Sequence, residues 1–273
     1  MRSFTPEQLQ RDVPMGLAWL VGSVMEAKGR QALFADREPE LLTTLRRAAI
    51  IQSAESSNRI EGVTVDRDRL QPLVLGTVRP RDRSETEIVG YRQALLWIHD
   101  DHAAIEVVPD SLLALHRLAQ QASGDAGEYK AHDNTILEVL PDGRRRVRFR
   151  PVSAAESPDA VEQLCLAYAH TTAEGSLPPL LATASFTLDL LSIHPFRDGN
   201  GRALRLYFEV LVVNAGFVVT WEVGGLFRLG SICGQDGQTF LAALWWGHSK
   251  ILTDFPGQYV NNLGVTGYSG STA

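Results

Sequence analysis

The sequence contains few cysteines and no long apolar run. Its two cysteines, Cys165 and Cys233, lie far apart in the 273-residue chain, and neither has neighbours at metal-ligand spacing. This scarcity argues against a disulfide framework, and we expect a reduced, cytoplasmic protein. No segment approaches the ~20 apolar residues of a membrane span, and the start, MRSFTPEQLQRDVPMG, lacks the apolar stretch of a secretory signal. We therefore expect no membrane partner and no targeting segment.

Positive charge is also scarce. The chain has 26 Lys and Arg against 32 Asp and Glu, a net charge of −6, so it lacks the overall charge that attracts nucleic acid. No nucleic-acid partner is expected. A content of 44% apolar and 21% charged residues is enough to bury one sizeable core and too small for two large ones. One domain with short attachments is the expected organisation.

Helical periodicity dominates the chain. Apolar residues recur at spacings of three and four in several segments, as expected for helices that bury one face. Capping residues predict helix starts at Thr5-Pro6-Glu7-Gln8, Ser84 with Glu87, Asp110, and Ser157-Pro158. Further helices are predicted over residues 42–58, 179–193, 201–214 and 238–250. The sequence therefore predicts a mostly α fold.

One segment departs from the helical period. Residues 134–151, NTILEVLPDGRRRVRFRP, alternate around Asp142-Gly143 and predict a β-hairpin. Because an isolated hairpin is marginally stable, we expect it to lie on the helical body. Its arginines are expected to form a solvated face, with steering of an acidic target segment as the alternative: Arg144, Arg145, Arg146, Arg148 and Arg150.

The segment richest in reactive groups is residues 194–205, HPFRDGNGRALR, which lies between two apolar helical runs. Gly199-Asn200-Gly201 would open the second helix with a tight turn and leave its first N–H groups free to bind an anion. Arg202 and Arg205, three residues apart, could add donors to outer phosphates.

Two further residues of this segment complete the parts needed to attack a nucleotide phosphate. Asp198 offers the hard oxygen ligand that Mg²⁺ prefers. His194, with an ordinary pKa of ~6.5, is suited to accept a proton from an incoming hydroxyl. Taken singly, His194 would be read as a core histidine and Asp198 as a turn residue. Their conjunction with both arginines is what indicates a catalytic site.

Two other clusters have simpler readings. His99, Asp100 and His102 could suggest a metal site, but their spacing and polar setting are typical of the exposed end of a helix. Trp245 and Trp246 lie on an apolar helical run, where packing in the core or in a homodimer is the expected role. Neither cluster adds a candidate site.

HPFRDGNGRALR resembles the signature of the Fic domain family, His-x-Phe-x-(Asp or Glu)-Gly-Asn-Gly-Arg-x-x-Arg, at every fixed position. The segment GEYKAHDN, residues 127–134, is similar to the start of the flap on which that family docks its targets. The resemblance implies a Fic-type helical bundle with a short β-hairpin flap. It divides the chain into an N-terminal helical extension (1–41), a core (42–250) with its flap at about 132–151, and a flexible tail (251–273).

The resemblance also implies an activity, the transfer of AMP from ATP to a Ser, Thr or Tyr hydroxyl of a target protein. Position by position, His194 would be the general base, Asp198 the Mg²⁺ ligand and Phe196 the residue that anchors the loop. The nucleotide would be bound by Gly199, Asn200, Gly201, Arg202 and Arg205. ATP, an unidentified protein docked at the flap, the chain itself as target, and a second copy in a homodimer are the partners that this implies.

A second stretch, Ser57 to Gly62, fits the inhibitory pattern (Ser or Thr)-x-x-x-Glu-(Gly or Asn) of the same family. A helix over about residues 42–62 would end at Gly62 in the left-handed conformation and direct the Glu61 carboxylate towards a cation. The resemblance implies that this cation is Arg205 and that the pairing displaces the γ-phosphate. The position of the stretch resembles the subclass with an N-terminal inhibitory helix.

Two alternatives remain open. In the first, Glu61 positions a water molecule and the protein removes AMP from modified targets, as some relatives do. In the second, the chain is a nucleotide-sensing binding module with negligible turnover, against which the presence of His194 argues because a sensor has no use for a base.

Overall fold

The computed structural model describes residues 3–35, 39–140, 143–217, 219–222 and 226–229. Over these residues the chain is mainly helical, with two short antiparallel hairpins, which confirms the predicted mostly α fold with a hairpin. In chain order the elements are α1 (Pro6–Leu9), α2 (Met15–Ala35), α3 (Pro39–Ile60), α4 (Arg67–Leu75), α5 (Arg83–Asp101), α6 (Pro109–Ala119), β1 (Ile136–Val139), β2 (Arg145–Phe149), α7 (Ser157–Glu174), α8 (Pro179–Ile193), α9 (Asn200–Asn214), β3 (Val219–Glu222) and β4 (Leu226–Leu229).

The core lies where α5, α6, α8 and α9 meet, and α9 is its central helix because it packs against the other three. Burying each large apolar side chain here stabilises the fold by roughly 1.5–3 kcal/mol. The fully buried side chains at the centre are Tyr91, Leu95, Leu112, Leu115, Phe186 and Tyr207. The loop between α8 and α9 therefore joins two helices that are both fixed in the core.

Two predicted helix starts are wrong. Helix α5 begins at Arg83, and its cap is Asp82, whose Oδ1 accepts a hydrogen bond from the backbone N–H of Glu85 at 2.8 Å. Ser84 and Glu87 do not form a capping box, because Glu87 turns into the core and binds an arginine there. Helix α6 begins at Pro109, so Asp110 lies in its first turn and does not cap it.

His99 is also placed differently from the expectation of an exposed helix end. Its side chain is only 9% exposed, and its Nε2 lies 2.7 Å from Oε1 of Glu209 on α9. Asp100 does point to solvent. Residues 99–102, His-Asp-Asp-His, look uniformly polar, yet His99 points inward. It does so because α9 packs against this end of α5 and supplies a buried carboxylate, which the local sequence does not reveal.

Several predicted segments agree with the structure and others lie outside it. Helix α8 spans the predicted residues, α9 begins one residue earlier than expected, and the hairpin β1–β2 falls within the predicted range. A second hairpin, β3–β4, was not expected, although the segment is rich in β-branched and aromatic residues around Gly224-Gly225.

The predicted helix over 238–250, with Trp245 and Trp246, and the predicted tail lie outside the described residues. The predicted domain boundaries stay a prediction.

The flap is the hairpin β1–β2, in which Leu137 pairs with Val147 and Ile136 with Phe149. Leu137 and Val147 are about half exposed, and most of the hairpin's arginine side chains are exposed too. The end before β1 reaches the loop between α8 and α9 through Asn134, and Val152, after β2, packs against the core. Within the described ranges of the chain, no helix has both the length and the apolar character needed to cross a lipid bilayer.

Candidate active site

The loop between α8 and α9 begins with an unusual backbone conformation at His194. Helix α8 ends at Ile193, and His194 caps it with φ of 51°, in the left-handed region, while its N–H donates to the Leu190 carbonyl at 3.0 Å. A non-glycine residue in this region costs of order 1 kcal/mol or more, so the surrounding contacts must hold it. The helix therefore ends on the candidate base and sets the direction of its side chain.

The rest of the loop is closed by its own side chains. The Asn200 amide accepts from the N–H of Phe196 at 2.9 Å and donates to the carbonyl of Phe196 at 2.8 Å. The Phe196 ring is buried and stacks on His116 with ring centroids 3.7 Å apart. Gly199 has φ of 73°, which only glycine adopts without strain. Asn200 thus braces the loop, and Phe196 lies in the core as expected.

Helix α6 supports the loop through two residues that sequence reasoning missed. His116 Nδ1 accepts from the N–H of Gly127 at 2.9 Å, so Nε2 carries the proton and donates to the Asp198 carbonyl, also at 2.9 Å. The Gln120 oxygen, in the amide orientation that satisfies both donors, accepts from the N–H of Gly199 at 3.0 Å and from Arg202 Nη2 at 2.7 Å. Their spacing of four residues on one helix face was the available signal.

The environment of His194 keeps its ring neutral. Burial, and after it the positive charge of Lys130, lower the pKa of His194 to about 4, against smaller opposing effects of the Leu191 carbonyl and the Glu61 and Asp198 carboxylates. At neutral pH the ring is therefore unprotonated and able to accept a proton. Since Nδ1 is buried, Nε2 is the nitrogen that can face a substrate.

Arg205 is held by the end of α3. Its Nη2 lies 2.8 Å from Oε1 of Glu61 and 3.1 Å from the Ser57 carbonyl, and its Nε donates to Ser57 Oγ at 2.6 Å. Gly62 follows with φ of 81° and ends the helix as predicted. A Cβ at Gly201 would overlap the Glu61 carboxylate, which therefore lies directly over the first turn of α9. The expected pairing of Glu61 with Arg205 is present in the structure.

Arg202 turns the other way, into the core. Its side chain is 2% exposed, and its Nη1 lies 2.5 Å from Oε2 of Glu87 and 3.2 Å from Oδ1 of Asn58. Glu87 uses its other oxygen to accept from Arg83. In this conformation the guanidinium binds α3, α5 and α6, so its predicted contact with a phosphate stays a prediction.

The start of α9 offers a site for an anion and a cation. No side chain caps this helix, so the first N–H groups, those of Asn200, Gly201 and Arg202, have no partner within it. Asp198 is exposed, and its Oδ1 is oriented by the N–H of Gly199 at 2.7 Å. Among the described residues, no group of three or more His, Cys, Asp or Glu side chains is arranged so that it could hold a metal ion. One carboxylate fits Mg²⁺ that takes its remaining ligands from phosphates and water.

Comparison with known proteins agrees with this geometry. Residues 106–212 match the Fic/DOC family. The chain is 24% identical over 176 residues to the "Protein adenylyltransferase Fic" of Nematostella vectensis, an alignment that covers 62% of this chain and 39% of that protein. The chain therefore spans less than half of this curated relative.

Two solved structures share the fold. A Fic domain-containing signalling protein from Bacteroides thetaiotaomicron superposes with a TM-score of 0.65 at 19% identity, covering 85% of this chain and 93% of that one. A Fic family protein from Desulfovibrio desulfuricans G20 gives a TM-score of 0.63 at 21% identity, covering 91% and 78%. Residues 106–212, which include the complete signature between His194 and Arg205, thus match the Fic/DOC family in sequence, and the chain shares the fold of Fic proteins.

Proposed function

We propose that the protein is a Mg²⁺-dependent protein adenylyltransferase that its own Glu61 holds in check. The observation that carries the proposal is the single loop on which a neutral histidine, an oriented carboxylate and the uncapped start of α9 stand together. Such a loop can bind a nucleotide phosphate and deprotonate a hydroxyl beside it. The domain match and the name of the curated relative point to the same chemistry.

In this mechanism the ATP phosphates lie at the start of α9, where the first-turn N–H groups and the helix dipole offset their charge. Asp198 would hold Mg²⁺, which supplies charge neutralisation on the phosphate oxygens. His194 Nε2 accepts the proton of the target hydroxyl as its oxygen bonds to the α-phosphorus. The bond from that phosphorus to the bridging oxygen breaks, and pyrophosphate leaves.

A target segment would reach the hydroxyl-binding position along the flap. Leu137 and Val147 face each other across the hairpin and are about half exposed, as expected of a surface that a partner covers. An extended segment can add to such a hairpin edge through main-chain hydrogen bonds. We propose a protein segment with a Ser, Thr or Tyr as the substrate.

The inhibitory part of the proposal rests on Glu61. Its carboxylate forms an ion pair with Arg205 and lies over Gly201, where the terminal phosphate would otherwise bind. A negative carboxylate there repels that phosphate and leaves the α-phosphate out of line for attack. A misplacement of this kind can cost ~100-fold in rate. Removing the carboxylate should therefore release the activity.

The test measures transfer of label from α-labelled ATP to protein by wild type, Glu61→Gly, His194→Ala and the double variant. We expect Glu61→Gly to raise the rate sharply, with the chain itself as one acceptor, and the double variant to be silent. Loss of a general base should cost ~10²- to 10⁴-fold, while ATP binding to His194→Ala stays near normal because the anion site is mostly backbone.

Three outcomes would count against the proposal. Near-normal transfer by His194→Ala would reject the role of the base. Equal low rates for wild type and Glu61→Gly across several targets would remove the inhibitory role. Loss of activity in Glu61→Gly, with release of AMP from a modified target by wild type, would favour AMP removal.

A further inference from the structure

Lys130, in the segment that precedes the flap, has an ammonium group buried against the candidate active site. The residue is only 4% exposed. Its Nζ donates to Asn134 Oδ1 at 3.0 Å, to the Val152 carbonyl at 2.6 Å, to the His194 carbonyl at 3.0 Å and to the Ile193 carbonyl at 3.4 Å. A charge buried this deeply is costly unless it is fully hydrogen-bonded, so these contacts fix where each partner lies.

Hydrogen bonds from Lys130 and Asn134 reach every backbone carbonyl at the start of the loop between α8 and α9. In addition to the carbonyls of Ile193 and His194, the backbone N–H of Lys130 donates to the Pro195 carbonyl at 2.9 Å. Asn134 Nδ2 donates to the Phe196 carbonyl at 3.1 Å. Lys130 and Asn134 together thus bind four consecutive carbonyls, from Ile193 to Phe196, the last of which also accepts from Asn200. These are the carbonyls that surround the left-handed conformation of His194.

The same ammonium also joins the two ends of the flap. Lys130 precedes β1, whereas Val152, which accepts its shortest hydrogen bond, follows β2. Nearby, Asp133 Oδ1 accepts from the N–H of Ala154 at 2.6 Å and closes the hairpin a second time. A shift at the base of the flap therefore moves the group that holds the His194 backbone.

We propose that Lys130 is a positioning residue that couples the seating of the flap to the position of the His194 ring. The proposal rests on the proposed function, because it assigns Lys130 an effect on the rate of the transfer that His194 would catalyse. A target segment bound to the flap would then position its hydroxyl, and the hydrogen bonds of Lys130 would position the His194 ring beside it. Lys130 itself touches neither ATP nor the hydroxyl.

The positive charge of Lys130 affects a measurable quantity, the pKa of His194, which a lysine with a purely structural role would not change. Among the described residues, the charged groups that act on the pKa of the His194 ring are Lys130, Glu61 and Asp198, and of these only Lys130 lowers it. Replacing the ammonium with an uncharged side chain should raise the pKa of His194 towards its ordinary value. Arginine keeps the charge and the donors, so it should largely preserve the behaviour.

The experiment compares Lys130→Met and Lys130→Arg in whichever of wild type and Glu61→Gly transfers AMP faster. The matched control is Lys28→Met, since Lys28 also donates to a main-chain carbonyl, that of Ala215, far from His194. Steady-state rates give kcat and the KM for ATP. NMR titration gives the pKa of the His194 ring, assigned by its loss in His194→Ala.

For Lys130→Met we expect kcat to fall by ~100-fold, the KM for ATP to change by less than about 2-fold, and the pKa of His194 to rise. Lys130→Arg and Lys28→Met should stay near the parent in all three. Should Lys130→Met fail to fold, Asn134→Ala and Lys130→Arg test the proposal in its place. Asn134→Ala should lower kcat by about 10-fold without raising the pKa, because the ammonium remains.

Unchanged kcat and an unchanged pKa in Lys130→Met would overturn the proposal, as would equal losses of kcat in Lys130→Met and Lys28→Met. Absence of transfer in every protein, Glu61→Gly included, would be a failure of the proposed function. In that case the NMR titration of His194 in the Lys130 variants would still test the coupling of the two residues, since the titration needs no turnover.

Discussion

At the scale of single residues, the loop between α8 and α9 divides its side chains between those proposed to act on a substrate and those that support the loop. In the proposed mechanism His194 and Asp198 act on the substrate, whereas Phe196 and Asn200 hold the loop in shape. The Asn200 amide bonds to the backbone of Phe196, so any contribution it makes to phosphate binding comes through its N–H. Residue type alone does not separate these roles, because a polar side chain in a signature can face either the ligand or the protein.

Asp198→Asn tests the cation site. The amide oxygen can still accept from the N–H of Gly199, so the loop should keep its shape, but the ligand loses its negative charge. We expect the apparent affinity for Mg²⁺ during AMP transfer to weaken by at least about 10-fold, as losses around metal sites usually do. The measurement is transfer rate against Mg²⁺ concentration, with Asp159→Ala, an exposed carboxylate on α7, as the control. A superimposable Mg²⁺ curve would reject Asp198 as a ligand.

At the scale of elements, the closeness of α5 and α6 determines what surrounds Arg202. A Cβ at Gly90 would overlap the backbone carbonyl of Leu118, so these two helices approach more closely than an alanine would allow. This approach brings Glu87 from α5 and Gln120, the C-cap of α6, to the same guanidinium. The end of α3 supplies the third partner, Asn58. Three helices are therefore cross-linked by one arginine at the start of α9.

Gly90→Ala should consequently destabilise the protein. Overpacking at such a contact typically costs 1–3 kcal/mol, so we expect the free energy of unfolding to fall by about that amount. Gly22→Ala is the matched control, because Gly22 lies inside α2 with open space around it, and alanine there should stabilise by roughly 0.5–1 kcal/mol. Urea unfolding measures both. A gain in stability for both variants would show that the helices are not in contact at Gly90.

At the scale of the whole molecule, acid should weaken the fold through groups whose pKa is depressed in the native state. The hydrogen bond from Arg69, which links α4 to α5, is the main cause that lowers the pKa of Glu85 from 4.5 to about 2. The stabilisation from Glu85 is therefore present above about pH 4.5 and is lost as the pH falls towards 2. For His194, the unfolded chain takes up a proton near pH 6.5 but the native protein only near 4.

The sign for His194 is the same: the unfolded state binds more protons between these two values, so stability falls as the pH is lowered through that window. We expect wild type to lose more of its free energy of unfolding between pH 7 and pH 4.5 than His194→Ala does. Urea unfolding at several pH values measures this difference. His132→Ala, which removes an exposed histidine near the flap, is the control and should follow wild type. Parallel curves for wild type and His194→Ala would refute the burial of a neutral ring.

The sequence by itself determined the features that local signals encode. Apolar periodicity placed α8 and α9 and with them the loop between two buried helices, Gly62 ended α3, and residues 194–205 resembled a known signature. The expected contact between Glu61 and Arg205 also came from that resemblance, and the structure contains it at 2.8 Å. Each of these depends on residues close in sequence or on a short pattern that other proteins share.

Only the tertiary structure decided which distant groups meet. The arginines 202 and 205 lie three residues apart, yet one is buried against Glu87 and the other reaches Glu61, because different helices cover the two positions. His116, Gln120 and Lys130 support the loop from elements far along the chain, and nothing near them in sequence names their partners. Side-chain burial and hydrogen bonding are set by packing between elements, and a pattern within one element does not carry that information.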